Sequence, residues 1–266
     1  MALIQCSFMS SALRTQTTIS VVIPTLTYDE IKAGDSDMCA PGTRFQTLYL
    51  LHGYSDDHTG WLRFTSVERH AVERRLALII PAVQNSAYAD MAHGSPFWTY
   101  VTEELPRVAR ALFPLSDRRE DNFVAGLSMG GYGAFKVALR NPDRFAAAAS
   151  LSGALDIASL VKDPENRALF TNVFADDGAV EGSPDDLLHL VDDAARSKAK
   201  LPKLYQACGT EDFLYRANVR FRDHTRALGI DLTYEEGPGA HEWDYWDANI
   251  RKVIDWLPLK RQPLTR

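Results

Sequence analysis

Ser128, Asp212 and His241 are the side chains whose types and positions point to one shared chemistry. Ser128 is the centre of Gly126-Leu127-Ser128-Met129-Gly130, a GxSxG pattern followed directly by Gly131. A serine hydroxyl attacks a carbonyl only when a base takes its proton, and a histidine serves best when a carboxylate fixes its tautomer. The flanking glycines have a steric reason. A serine lifted on a sharp strand-to-helix turn takes a strained backbone, and side chains two residues before and after it would hold strand and helix apart. The pentapeptide alone also occurs in ordinary glycine-rich turns, so its meaning depends on the elements around it.

Those elements can be read in order. Residues 2–13 and 17–24 have the pattern of two strands joined near Arg14 and Thr15, an antiparallel edge. Residues 28–43 are polar, with Gly34, Pro41 and Gly42, and are expected to form a loop. Residues 45–51 are continuously apolar, as a strand buried on both faces would be, and end in His52-Gly53-Tyr54. A helix over 66–76, a strand over 76–81 and a helical stretch over 98–113, bent or restarted at Pro106, come next. Strands at 123–127, 145–151, 201–208 and 230–235 alternate with helices at 132–140, 217–228 and 243–256. This rhythm predicts an α/β fold: a mostly parallel, doubly wound sheet with an antiparallel N-terminal edge. One domain over residues 1–266 is expected, with 154–200 as an insertion, holding helical pieces at 157–161 and 185–198, that is either a lid or a plain surface excursion.

A hydrolase on such a sheet places its acid after a strand beyond the nucleophile and its histidine in the loop after the next strand. Asp212, with Glu211 as its neighbour and competitor, follows 201–208, and His241 follows the tight run Gly237-Pro238-Gly239-Ala240. Three candidate residues at three strand ends are harder to obtain by chance than any one of them. A metal motif of HExxH type fails, because Tyr245 stands where its second histidine belongs. Gly34-Asp35-Ser36 looks like the nucleophile block of another hydrolase class, but no strand precedes it. The backbone N–H groups of Tyr54 and Met129 are the expected oxyanion donors. Gly53, Trp61, His93, Phe97 and Trp98 are candidates for the substrate pocket, and His58, His70, His189 and His224 read as solvated.

Composition bounds the class. Hydrophobic residues at 45% and charged residues at 24% fit a globular chain, and a net charge of −6 disfavours nucleic acid or an anionic membrane as the main partner. Cys6, Cys39 and Cys208 form no CxxC pair, which argues against a zinc site and fits a reducing compartment. The apolar start at 1–9 carries no lysine or arginine and reads as a strand; together these features suggest a cytoplasmic protein without membrane insertion. No metal and no cofactor is expected.

The blocks Leu50-Leu51-His52-Gly53, Glu103-Glu104-Leu105-Pro106, Gly126 to Gly133, Ser152-Gly153-Ala154, Glu211-Asp212-Phe213-Leu214-Tyr215 and His241-Glu242-Trp243-Asp244-Tyr245-Trp246 together resemble the tributyrin esterase family. That family belongs to the esterase D group of α/β-hydrolases, and the resemblance runs from about residue 2 to residue 257. It implies an α/β-hydrolase fold and a serine carboxylesterase preferring short acyl chains, acetyl to butyryl, with Ser128, Asp212 and His241 as triad. A small-molecule or carbohydrate ester substrate and a homodimer or homotetramer are implied too. S-formylglutathione hydrolases share the block around Ser128 but usually carry a Ser-Gly-Leu-Thr-Cys-like run where this chain has His52-Gly53-Tyr54-Ser55-Asp56. A thioesterase of that kind, a deacetylase or feruloyl-type esterase acting on carbohydrate esters, an acyltransferase and a non-catalytic binding module are the competing readings.

Overall fold

A computed structural model describes residues 1–34, 42–175 and 179–260. Its centre is an eight-stranded sheet of order β1-β2-β4-β3-β5-β6-β7-β8. The strands are β1 (Ala2–Ser10), β2 (Thr15–Ile23), β3 (Gln46–Leu51), β4 (Leu76–Pro81), β5 (Asn122–Leu127), β6 (Ala147–Leu151), β7 (Lys203–Gly209) and β8 (Leu232–Gly237). From β4 to β8 every pairing is parallel, whereas β1 pairs antiparallel with β2, and β2 with β4. The expected doubly wound sheet with an antiparallel N-terminal edge is therefore present.

The helices are α1 (Tyr28–Lys32), α2 (Gly60–Phe64), α3 (Val67–Glu73), α4 (Phe97–Thr99), α5 (Leu105–Leu112), α6 (Met129–Arg140), α7 (Ile157–Lys162), α8 (Arg167–Phe174), α9 (Leu187–Ser197), α10 (Tyr215–Ala227) and α11 (Trp243–Trp256). Continuous apolarity in the inner strands has its expected cause. In β3, Tyr49 and Leu51 face a layer with Phe135 of α6 and Phe221 of α10, while Leu48 and Leu50 face a second layer with Val67 of α3 and Ile250 of α11. Successive residues of one strand thus enter opposite cores.

Three differences from the sequence expectations have local reasons. Within 28–43, α1 forms because Thr27 and Glu30 make a reciprocal capping box. Strand β1 stops at Ser10 because the buried Glu104 carboxylate gathers the turn: it accepts the Ser10 hydroxyl, the Ser11 N–H at 2.6 Å and the Ala12 N–H at 3.1 Å. Between α4 and α5 the chain widens into a π-turn at Tyr100–Glu104. Pro106 has no N–H for the Thr102 carbonyl and its ring crowds that oxygen, which is met by Arg144 instead.

Helices α7 and α8 lie over the strand ends while α9 packs on α6 and α10, and α8 has no counterpart in the sequence expectations. The turn before α9 is tied to α6 by an ion pair whose lysine is buried. Lys136 is fully buried, and its Nζ lies 2.5 Å from Asp185 Oδ1 and donates to the Tyr88 carbonyl at 2.9 Å. Burial pushes its ammonium down to about 8, against the pull of Asp185. Losing Asp185 leaves a buried ammonium unpaired, whereas an apolar replacement of the lysine removes the buried charge and leaves Asp185, itself only partly buried, to Arg140 and solvent. Asp185→Asn is expected to lower stability by about 3 kcal/mol and Lys136→Met by less than about 1, read by urea unfolding at pH 7. Between about pH 8 and the ordinary 10.5 the unfolded lysine holds a proton that the folded one has lost. Wild type then gains stability relative to Lys136→Met as pH rises through that window. A larger loss in Lys136→Met than in Asp185→Asn would contradict this account.

Candidate active site

The carboxyl ends of β3, β5, β7 and β8 open on one cleft of about 1070 Å³, where such sheets present their ligands. Ser128 sits on the turn between β5 and α6 with φ 53 and ψ −118, a left-handed conformation that costs a serine energy. The neighbours allow it. A Cβ on Gly126 would lie 2.3 Å from the Gly130 carbonyl oxygen, and one on Gly130 would lie 2.3 Å from the Leu51 carbonyl oxygen. The Ser128 N–H donates to the Leu151 carbonyl of β6 at 2.9 Å, which locks the turn to the next strand.

The loops after β7 and β8 are zipped to each other. Thr210 N–H donates to the Gly237 carbonyl at 2.9 Å and Glu211 N–H to the Gly239 carbonyl at 3.1 Å. Glu211 spends its carboxylate on the Gly239 N–H, 2.6 Å away, so the adjacent competitor faces the loop backbone. Asp212 is buried and accepts from His241 Nδ1 at 2.9 and 3.1 Å. With Nδ1–H donated to a carboxylate, Nε2 is left to accept from the Ser128 hydroxyl, at 2.9 Å. Desolvation alone would raise the Asp212 carboxyl, but the bonds from His241 and from the Leu214 N–H outweigh it and hold it below the usual range. The imidazole is sandwiched between Phe213, with centroids 4.5 Å apart, and the edge-on Trp246 at 5.0 Å. Trp246 is fixed in turn by its N–H to Ser152 Oγ at 3.1 Å.

His52 organises the loop after β3. Its Nε2 accepts the Val83 N–H at 3.0 Å, so its proton sits on Nδ1, donated to the Gly53 carbonyl at 2.7 Å. Burial pushes this imidazole below its ordinary value. The Tyr88 hydroxyl holds the His52 carbonyl at 2.9 Å. Gly53 presses on the serine turn: a Cβ there would meet Leu127 Cδ1 at 2.6 Å. Tyr54 and Met129 both line the cleft beside Ser128, and neither N–H donates a hydrogen bond among the described residues.

Of the other pocket candidates, only Gly53 lines the cleft. Trp61 is wholly buried, donating its indole N–H to the Leu51 carbonyl at 3.0 Å, and Phe97 belongs to the core. Trp98 lies under Arg140 and Lys136, its centroid 3.9 Å from the Arg140 guanidinium carbon. His93 is exposed and uses its backbone N–H to cap the Asn172 carbonyl of α8 at 2.9 Å. His70 is buried rather than solvated, and Ser36 lies outside the described residues. The cleft's apolar wall comes instead from Phe64, Leu160, Phe170, Phe213 and Trp243. A signal for Phe213 existed in its position next to Asp212; Phe64, Leu160 and Phe170 had none. No group of His, Cys, Asp or Glu side chains suited to a metal occurs among the described residues, and no helix there is long and apolar enough to cross a membrane.

A parallel sheet wound by helices on both faces, with a serine on the turn after its central strand, defines the α/β-hydrolase fold. Comparison with known proteins agrees. Residues 10–256 match the model of the Esterase family, described as "Putative esterase". An acetyl esterase of Caldicellulosiruptor saccharolyticus is 34% identical over 265 residues, covering 97% of this chain and 98% of its own. Two solved Staphylococcus aureus structures are each 36% identical over 96% of this chain and 98% of theirs. These are the fluorophosphonate-binding serine hydrolase F in a substrate-bound form, at a TM-score of 0.87, and an S-formylglutathione hydrolase apoenzyme, at 0.84. The chain belongs to the esterase family and is a carboxylic ester hydrolase.

Proposed function

We propose that this protein is a serine carboxylesterase that cleaves short-chain acyl esters through an acyl-enzyme, within the tributyrin esterase branch of its family. The observation that carries the reading is the bonded line Ser128 Oγ to His241 Nε2 and His241 Nδ1 to Asp212 at the floor of the cleft. His241 takes the hydroxyl proton as Oγ bonds to the ester carbonyl carbon, and Asp212 steadies the imidazolium. The N–H groups of Tyr54 and Met129 hold the oxyanion. Collapse breaks the bond to the alcohol, which leaves with the proton from His241. Water then attacks the acyl-enzyme by the same base, releasing the acid and restoring Ser128.

Further parts of the reading follow. Residues 1–266 form one domain in which α7 and α8 act as a lid, since both contribute side chains to the cleft wall. A cytoplasmic location suits Cys6 and Cys208, which are free thiols in the structure. The named relatives favour a small acyl group, and a homodimer or homotetramer is part of the family likeness. A second reading, a thioesterase of S-formylglutathione hydrolase type, is favoured by the relative at 36% identity.

The test is a series of p-nitrophenyl esters from acetate to octanoate, run beside S-formylglutathione and acetylated sugars. The expected result is a kcat/KM that falls beyond butyrate, with stoichiometric labelling of folded protein by an organophosphonate at Ser128 read by intact mass. Absence of any adduct would defeat the assignment of Ser128. A thioester preferred over every oxygen ester by a factor of about 100 would install the second reading.

A further inference from the structure

Asp56, Asp163, Arg216 and Glu242 are the acidic and basic side chains that line the cleft beside His241. Each carboxylate has a local backbone partner. Asp56 accepts the Asp57 N–H at 2.8 Å, Asp163 the Glu165 N–H at 3.0 Å, and Glu242 the Ala240 N–H at 3.2 Å. Arg216 has none: it forms no hydrogen bond, ion pair or ring contact with any described residue.

Its position makes that more telling. Arg216 is the second residue of α10, whose first turn contains no acidic residue. The N-terminal end of a helix carries partial positive charge and disfavours a cation there, so neither the helix nor a neighbour accounts for the arginine. The side chain is exposed to the cleft rather than packed, so core filling does not account for it either. What remains is a planar guanidinium with all its donors free, in the cavity that holds the scissile bond, four residues beyond Asp212 in the chain. A guanidinium fork matches a carboxylate bidentately. The three carboxylates that share the cleft repel an anion elsewhere in it, which makes the place of Arg216 selective for orientation as well as charge.

We propose that Arg216 is a specificity-determining residue that binds a carboxylate carried by the substrate away from the ester bond. The preferred esters are then anionic, either half-esters of dicarboxylic acids or esters of hydroxy acids. This rests on the serine-esterase reading above and deepens it.

The experiment compares two matched pairs: 4-nitrophenyl hexanoate against mono-4-nitrophenyl adipate, with the charge on the acyl side, and phenyl acetate against 4-acetoxybenzoate, with the charge on the alcohol side. Wild type, Arg216→Ala and Arg216→Lys are assayed on all four. Arg216→Ala is expected to raise KM for one anionic ester about 10- to 100-fold with kcat little changed, while both neutral esters stay within about two-fold. Arg216→Lys is expected to recover only part of the loss, because an ammonium lacks the fork. The pair that responds identifies which side of the ester carries the charge. An Arg216→Ala variant that treats neutral and anionic esters alike, whether unchanged or equally impaired, overturns the proposal alone. Wild type inactive on all four esters overturns the esterase reading and this proposal with it.

Discussion

Ser128→Ala is expected to lower kcat on p-nitrophenyl butyrate by roughly 10⁴- to 10⁶-fold, with little change in KM. The size follows from what remains. On the mechanism proposed above, the variant keeps the Tyr54 and Met129 N–H groups and the whole cleft wall, so it can still bind an ester and polarise its carbonyl. It has no oxygen to form the acyl-enzyme and no path for the proton to His241. Fold should be spared. Among the described residues the hydroxyl bonds only to His241, and alanine keeps the Cβ already accommodated at φ 53. Thermal unfolding within about 2 °C of wild type beside the loss of rate would place the effect in the chemistry. Retention of more than about a hundredth of wild-type kcat would mean that another group, or water alone, attacks the ester.

Gly130→Ala carries the second large effect, this time through the backbone. Alanine in a helix gains about 1 kcal/mol over glycine, which taken alone predicts stabilisation. The contact reverses the sign. The added methyl would lie 2.3 Å from the Leu51 carbonyl oxygen and 2.6 Å from that of His52, both main-chain atoms that cannot rotate aside. Relief requires the helix behind Ser128 to move away from the loop bearing Tyr54. A net loss of about 3 kcal/mol is expected, corresponding to a fall in Tm of about 6–12 °C. Whatever folds would lose alignment between Ser128 and the proposed oxyanion donors, costing about 100-fold in kcat. Gly237→Ala is the control, since a Cβ there meets nothing within 4 Å; it is expected to stay within about 0.5 kcal/mol of wild type. Equal behaviour of the two variants would remove the close approach as an explanation.

The contrast between what could and could not be read in the chain follows from where the determinants lie. The strand over 76–81 and the helix over 243–256 were legible because their apolar spacing and bounding residues are local, and both stand at those limits. Ser128, Asp212 and His241 could be singled out because each follows a strand and is marked by glycine or by its place beside a turn, and the structure brings the three together. Helix α8 was hidden. Its C-terminal carbonyls at Asn172 and Val173 are met by the N–H groups of His93 and Ala92 from a distant loop, a cap that no local pattern announces. The pocket aromatics failed for a related reason. Trp61 and Phe97 lie near strand ends in sequence, but tertiary partners draw them into the core, whereas Phe213, next to Asp212, remains 74% exposed on the face of His241. Proximity to a strand end says which layer a ring can reach, not whether that layer is wet.

The double tether of His52 bears on how the loop carrying Tyr54 responds to acid. An imidazole whose two nitrogens are both committed to main-chain partners is electrically silent: it behaves as a spacer that happens to be aromatic. Protonating it would break the bond from Val83 and place a charge in the core, so the loop that carries Tyr54 keeps its shape while the medium turns acidic. Of the two histidines that build this end of the sheet, one is therefore scaffold, and the chemistry proposed above is left to the other.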